Sequence, residues 1–455
     1  MSTATVPSQQ GSSRAVSRMS PVVERARQLR LLFEVEREFV RTATTLIPRV
    51  GEPELKYRLC EHVWEAVQHA RFLRERGKEL SGFGSTESAR PEVRRIFEEA
   101  LRAPDGASAT LGFYRVLKPA LRRAYEHYLS VTEPLGDWPT TQLLREFLRD
   151  EERHASEIEG FLQGLQGEND AAWIAHLQAA LDAQGGWLGE TPKSELPQDF
   201  SWRADEMPYA HPRSCNRGRF PVCADNFGAT MEEAGEKPII GAVFSDPQTD
   251  ARVIRLMIYV WLLNEMDAVD YLATVFYDTP DAPLDMHHDM ARHLWDEARH
   301  SQFGYRQLPK FGIDLMTLEQ QVNLYESLVQ MQPHERYALM TMMFEAGSFD
   351  IKAEIMDRVR ELNDFEADTL LAFDRSDEQN HVRYGHRWLP TLMEMFGEKR
   401  APEEFVEATR AKFAPIIQET TARIGHTLPP DRRLTANDIF EMVKREDEVR
   451  AGATA

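Results

Sequence analysis

The sequence predicts an all-α protein in which one four-helix bundle is followed by a second on the same plan. Three observations carry this. From Pro21 onward apolar residues recur at helical spacing, with almost no Val/Ile/Thr alternation of the kind strands show. The chain also matches itself. At an offset of 231, Leu31-Leu32-x-Glu34 falls on Leu262-Leu263-x-Glu265, Trp64 on Trp295, His62 on His293 and His69 on His300. At an offset of 227, Asp150-Glu151-x-x-His154 falls on Asp377-Glu378-x-x-His381. Third, four acid-bearing segments of the C-terminal half come in a fixed order: Glu265, then Glu297 with His300, then Glu345, then Glu378 with His381.

Taken in order, residues 1–20 are rich in Ser, Thr, Gln and Gly without an apolar stretch, so they predict a disordered tail and no signal peptide. Helices are expected near 21–47, 53–80, 91–103, 109–131, 139–165 and 169–183, which places a first bundle at 21–184. Pro119 should kink the fourth helix or mark its true start. Residues 185–250 are rich in Pro with Gly, Asp and Asn, and predict a long connection lying across both halves. Its aromatics, among them Trp187, Trp202, Tyr209 and Phe220, would not be left in water. Helices resume near 250–277, 283–308, 315–329, 333–361, 363–394 and 402–424, giving a second bundle at 251–425. Residues 426–455 read as a C-terminal tail with a short helical piece near 435–448 and a loose end.

Composition narrows the function. The chain has 455 residues and a formal charge of −20, which repels nucleic acid and anionic membrane and suits a soluble enzyme in the cytoplasm. No apolar run is long enough for a membrane span; the best, Leu256 to Leu263, is flanked by Arg255 and Glu265. Three cysteines, Cys60, Cys215 and Cys223, make neither a disulfide framework nor a tetrahedral zinc set.

The acids carry the chemistry. In Glu-x-x-His the carboxylate and imidazole lie on one helix face, and two such pairs can face each other across a bundle. A carboxylate-bridged dimetal centre needs a lone Glu on each of two helices and a Glu-x-x-His on each of the other two. Here Glu265 precedes Glu297 by 32 residues and Glu345 precedes Glu378 by 33, the span of a helical hairpin each time. On these motifs residues 251–425 resemble the ferritin-like diiron-carboxylate superfamily, and most closely its oxygen-activating members, because both pairs read Asp-Glu-x-x-His. The chain is thus identified as two tandem ferritin-like bundles. The resemblance implies Glu265, Glu297, His300, Glu345, Glu378 and His381 as ligands of two iron ions, or of a manganese and an iron. It also implies Asp296 and Asp377 as carboxylates that orient the His of the opposite pair.

The first bundle departs from that pattern. Under the offsets its pseudo-site is Glu34, Ala66, His69, Lys118, Glu151 and His154, with Ala66 beneath Glu297 and Lys118 beneath Glu345. A Lys ammonium among buried acids supplies counter-charge that a metal would otherwise give, so this copy is expected to be metal-free and structural. A mononuclear site from Glu34, His69, Glu151 and His154 is the alternative, and Lys118 argues against it.

The resemblance further implies that a ferrous pair activates O2 and oxidises a small organic substrate by hydroxylation, N-oxygenation or desaturation. Electrons would come from a separate ferredoxin or reductase, since the chain carries no dinucleotide fingerprint and no cluster-binding cysteine set. A homodimer is compatible with everything above. Gly304 stands where ribonucleotide reductase small subunits carry their radical Tyr, which disfavours that function. Gly304 and Gly347 either leave room for substrate or permit close helix packing. Ser348 either lies beside an oxygen pocket or bonds back to its own helix. His293, one turn before Glu297, is either an extra ligand or structural. Arg299 is expected to pair with the outer acids, and Trp261, Met342, Phe344 and Phe349 to be core, one or two of them lining a pocket. Two other functions compete: an iron-binding ferroxidase or storage ferritin, and a non-catalytic scaffold subunit of a multicomponent oxygenase.

Overall fold

The structure, a computed structural model, describes residues 21–80, 89–165, 170–200, 215–224, 243–244 and 246–453. The expected N-terminal tail at 1–20, and Trp202 and Tyr209 of the connection, lie outside the described residues.

The protein is all-α. The first half holds α1 (Pro21–Leu46), α2 (Pro53–Glu79), α3 (Pro91–Leu101), α4 (Gly106–Gly112), α5 (Lys118–Val131), α6 (Trp138–Gly164) and α7 (Asp170–Gln184). The second holds α8 (Ala251–Asn264), α9 (Met266–Asp278), α10 (Leu284–Gln307), α11 (Asn323–Leu328), α12 (Pro333–Leu339), α13 (Phe349–Arg360), α14 (Phe365–Met395), α15 (Pro402–Ile424) and α16 (Ala436–Ala453). Extended structure among the described residues amounts to Val222–Cys223 paired in parallel with Gln320–Gln321 and a bridge from Cys223 to His426. Local chemistry sets many of the helix starts. Proline opens α2, α3, α12 and α15, where its missing N–H costs nothing. Asp105, Asp250 and Asp364 cap α4, α8 and α14 by accepting from Ser108, Arg252 and Ala367 backbone N–H groups.

Several expected helices are broken, and the breaks matter for the site. The helix expected at 250–277 is interrupted at Glu265, which ends α8 and precedes α9. The one expected at 333–361 widens into a π-helical turn at Met340–Glu345 before restarting as α13. The one expected at 109–131 does the same at Phe113–Leu117, just ahead of Pro119, whose missing donor and ring the wider turn absorbs. The two π-turns begin 340 − 113 = 227 residues apart, the offset that superposes the two Asp-Glu-x-x-His motifs. Residues 315–329 yield only the short α11; the helical piece expected near 435–448 is present as α16, which runs five residues further and packs on α8 through Ile439 and Val443.

In the first half α1 packs on α2 and α5, and α6 on α2 and α5; in the second, α10 packs on α8 and α14, and α13 on α8 and α14. The halves also pack on each other, α2 against α10 and α1 against α9, and a single apolar core runs through Phe39, Val63 and Leu121 into Tyr271, Leu294 and Leu339. Buried charges cross the same boundary. Lys56 Nζ of α2 lies 2.6 and 2.8 Å from the two oxygens of Asp270 on α9. Arg217 of the connection pairs with Asp270 and reaches Asp267 at 3.3 Å. Two cations thus meet two anions, which makes their joint burial tolerable. Trp187 and Phe220 are buried as well, so the described parts of the connection lie against the helices.

Gly304 shows how close α10 comes to α8. A Cβ there would stand 2.2 Å from Tyr259 O and 2.5 Å from Leu263 N, so this glycine serves helix packing and not substrate space. Gly304→Ala should therefore lower stability by about 2–3 kcal/mol. Gly160→Ala, at a position of α6 with open space around it, should raise it by about 0.5–1 kcal/mol. Thermal melts of the two variants check both signs.

Candidate metal centre

The α8–α9 break, α10, the π-turn before α13 and α14 each deliver acids or imidazoles to one buried place. His293, Glu297, Glu345 and His381 present ligand atoms within 4.8 Å of one another, and so do Glu265, His300, Asp374 and Glu378. The six residues singled out from the sequence are all there, joined by His293 and Asp374. His293 Nε2 lies 2.6 Å from Glu345 Oε1, and its ring stacks on that of His381 at 3.8 Å between centroids. His381 Nδ1 stands 3.3 Å from Glu297 and 3.4 Å from Glu345, while His300 Nδ1 stands 3.2 Å from Glu265 and 3.4 Å from Asp374.

The far nitrogen of each imidazole faces the opposite motif. His300 Nε2 meets Asp377 at 3.4 Å, and His381 Nε2 meets Asp296 at 3.3 Å. Arg299 pairs with Asp296 and lies 2.7 Å from Asp377; Arg292 lies 2.8 Å from Asp296. These arginines neutralise the outer acids, which in turn fix both rings so that Nδ1 points inward.

Whether these residues suit a metal can be tested on their unmet valences. Glu265 Oε2, Glu297 Oε1, His300 Nδ1, Glu345 Oε2, Glu378 Oε2 and His381 Nδ1 are all buried with no hydrogen-bond partner, as are His293 Nδ1 and Asp374 Oδ2. An orphaned buried polar atom costs about 1–3 kcal/mol, so this many in one place leave a cation as the natural partner. Carboxylates and imidazoles together suit iron or manganese better than a soft metal.

Electrostatics in the metal-free protein tell the same story through protons. Burial pushes Glu297 up to about 8, with Glu265 and Glu378 adding to the rise. Burial disfavours charge on His300, but Asp374, Asp377 and Glu265 outweigh it and hold the imidazole well above its ordinary range; Glu345, Asp296 and Glu297 do the same for His381. Protons occupy the centre that metal would take.

Two members escaped the sequence reading. Lys352 Nζ, buried on α13, lies 2.6 Å from Glu378, 2.8 Å from Asp374 and 3.6 Å from Glu265. Asp374 precedes Glu378 by four residues, which puts that pair on one face of α14, while Lys352 follows Glu345 by seven residues across the end of the π-turn. A cavity of about 450 Å³ opens on the same acids, lined by Trp261, Asn264, Ala268, Tyr271, Gln321, Leu324, Met340, Met343, Phe344, Gly347, Ser348, Ile351 and Lys352. That volume fits a small molecule. Ser348 Oγ donates to Glu345 O at 2.8 Å, back into its own chain.

The first-half pseudo-site needs correction. Glu34 does not join it; its carboxylate bonds Arg30 at 2.7 Å and Arg90 at 2.9 Å. Glu36, two residues on and therefore on another face of α1, lies 3.1 Å from His69 and accepts from Tyr125. The register slips because the second half breaks its helix at Glu265 and α1 runs on unbroken. Ala66 is buried in the core with no acid function, and Glu65 beside it takes His154 and Arg153. Lys118 Nζ lies 2.5 Å from Glu151. Burial opposes charge on His69, but hydrogen bonds to Asp150 and Glu36 raise it to about 9. Glu36, His69 and Glu151 still cluster closely enough to hold an ion. Their charges, however, already cancel: two carboxylates face Lys118 and a protonated His69. A fourth cluster, Cys223, Glu319 and His426, is also satisfied, since Glu319 accepts from His426 Nδ1 at 2.5 Å and from Thr427 and Leu428 N–H at 2.7 Å each.

A family model described as a protein of unknown function (DUF455) matches residues 250–436, a stretch that contains both four-residue groups and Lys352. No curated protein and no solved structure matches the chain.

Since Glu297, His300 and His381 carry protons near neutrality, a divalent ion binding through them must expel these. Uptake of Mn2+ at pH 7 should release more than one proton per chain, and affinity should strengthen from pH 6.5 to pH 8. Calorimetry in buffers of different ionisation enthalpy checks this; binding without proton release would contradict the assignment.

Proposed function

We propose that the C-terminal half is a non-haem diiron oxygenase or oxidase of the ferritin-like kind, with a manganese and iron pair as a variant. Its twin in the N-terminal half is a metal-free support. The observation that carries the proposal is the convergence of ligand atoms without hydrogen-bond partners from Glu265, Glu297, His300, Glu345, Glu378 and His381 beside a cavity of about 450 Å³. Net charge leaves room for two ions. Five buried carboxylates, those of Glu265, Glu297, Glu345, Asp374 and Glu378, face one ammonium, Lys352, so that with neutral imidazole ligands two divalent cations complete neutrality. The matching positions of the two π-turns support descent of both halves from one bundle.

When bound, a ferrous pair would supply the electrons and Lewis acidity that reduce O2 and oxidise a substrate bond. This chain's residues contribute placement. Asp296 and Asp377 hold His381 and His300 by Nε2 so that Nδ1 is offered to the metals, and Arg292 and Arg299 keep those acids ionised. Trp261, Tyr271, Met343 and Phe344 give the cavity apolar walls that would bind the organic part of a substrate against the acids. A ferredoxin or reductase is proposed as the electron source. Among the described residues no helix is long and apolar enough to cross a membrane.

Anaerobic ferrous loading, desalting and iron analysis test the proposal together with oxygen uptake in the presence of a chemical reductant. Two irons per chain and reductant-dependent oxygen consumption are expected, with Glu378→Ala losing at least one iron and lowering consumption about 100-fold or more. Iron near zero would refute the ligand assignment. About four irons would refute the metal-free first half, and two irons without oxygen consumption would favour a binding role over an oxygenase.

A further inference from the structure

The two ligand groups are not equivalent. Around Glu297 and Glu345 every ion-pair partner among the described residues is an imidazole, from His293, His300 or His381. The other group already holds a cation. Lys352 Nζ is within 2.8 Å of Asp374 and Glu378 and 3.6 Å from Glu265, touching three of its four members. A buried ammonium in that position holds one oxygen of each of these three carboxylates, and with them the space and charge that a metal ion would use.

Resting on the dimetal reading, we infer that the two positions fill in a fixed order and that Lys352 is a built-in competitor for the second. The first ion enters between His293, Glu297, Glu345 and His381 without displacing any fixed charge. The second can settle among Glu265, His300, Asp374 and Glu378 only when the ammonium withdraws. Lys352 also lines the cavity, so the side chain has space to withdraw into. Until then it keeps three buried carboxylates from facing one another unpaired, at a cost that an absent second metal would otherwise impose. The consequence is a stable one-metal state and a second metal that exchanges more readily, which also gives a route to two different metals in the two positions. Lys352 acts here as a positioning residue, through the acids it holds.

Titrating Mn2+ into the metal-free full-length chain, followed by electron paramagnetic resonance and calorimetry, tests this. Up to one equivalent the spectrum should show an isolated six-line ion, and a spin-coupled pair should appear only between one and two equivalents. The second dissociation constant should be about tenfold or more weaker than the first. Lys352→Met removes both the competitor and a positive charge, so the second step should tighten about tenfold or more and the coupled signal should appear below one equivalent. Asp374→Asn, which keeps the lysine, should weaken the second step and leave the first unchanged. A coupled pair from the first addition in the wild type would overturn the inference while leaving the dimetal reading intact. So would a second step unmoved by Lys352→Met, or an Asp374→Asn variant that loses the first step instead. No Mn2+ binding at all would instead remove the dimetal reading on which the inference rests.

Discussion

Negative charge without water is the constraint on which the C-terminal half depends. Among the described residues, besides the arginine-paired Asp296 and Asp377, five carboxylates are buried between α8, α10, α13 and α14, and one ammonium stands against them. No packed helical core tolerates that imbalance by itself. Protons relieve it in the metal-free protein, through Glu297, His300 and His381, and divalent metal is the proposed relief in the working one. The local irregularities follow from the same demand. Glu265 sits at a helix break and Glu345 ends a π-turn, departures from regular helix that re-aim a side chain the uninterrupted helix would send elsewhere.

In the first half, where α1 and α6 each pack on α2 and α5, that demand is absent. Lys118 occupies the place of Glu345 under the offset of 227, and Tyr125, which donates to Glu36, occupies that of Lys352. Acid, lysine, histidine and tyrosine close on one another, and their charges cancel. What this half still provides is packing: α1 and α2 lie on α9 and α10, and one apolar core spans the boundary. α10, which carries three of the proposed ligands, is therefore held from both sides.

Much of this was legible in the sequence because helical periodicity and motif spacing are local properties. The helix limits at 53–80, 283–308 and 402–424 fall within a residue of α2, α10 and α15. The six clustered residues were visible as two Glu-x-x-His pairs and two lone acids. What escaped depends on departures from regularity or on partners distant in sequence. The π-turns leave no periodic signal beyond Pro119 in the first half. The break at Glu265 shifts the register between the copies by enough to put Glu34 where Glu36 belongs. Asp374 had the right helical spacing to Glu378, yet a lone Lys or Asp on a helix, such as Lys352 or Asp374, normally reads as a solvated residue. Only the packing of α13 against α14 reveals that these two meet at 2.8 Å inside the core.

Anomalous diffraction at the iron edge from crystals of the iron-loaded full-length chain tests the central claim most directly. Two peaks are expected between α10 and α14, one among His293, Glu297, Glu345 and His381 and one among Glu265, His300, Asp374 and Glu378, with none at Glu36, His69 and Glu151. Iron bound only in the first half, or only on the surface, would contradict it.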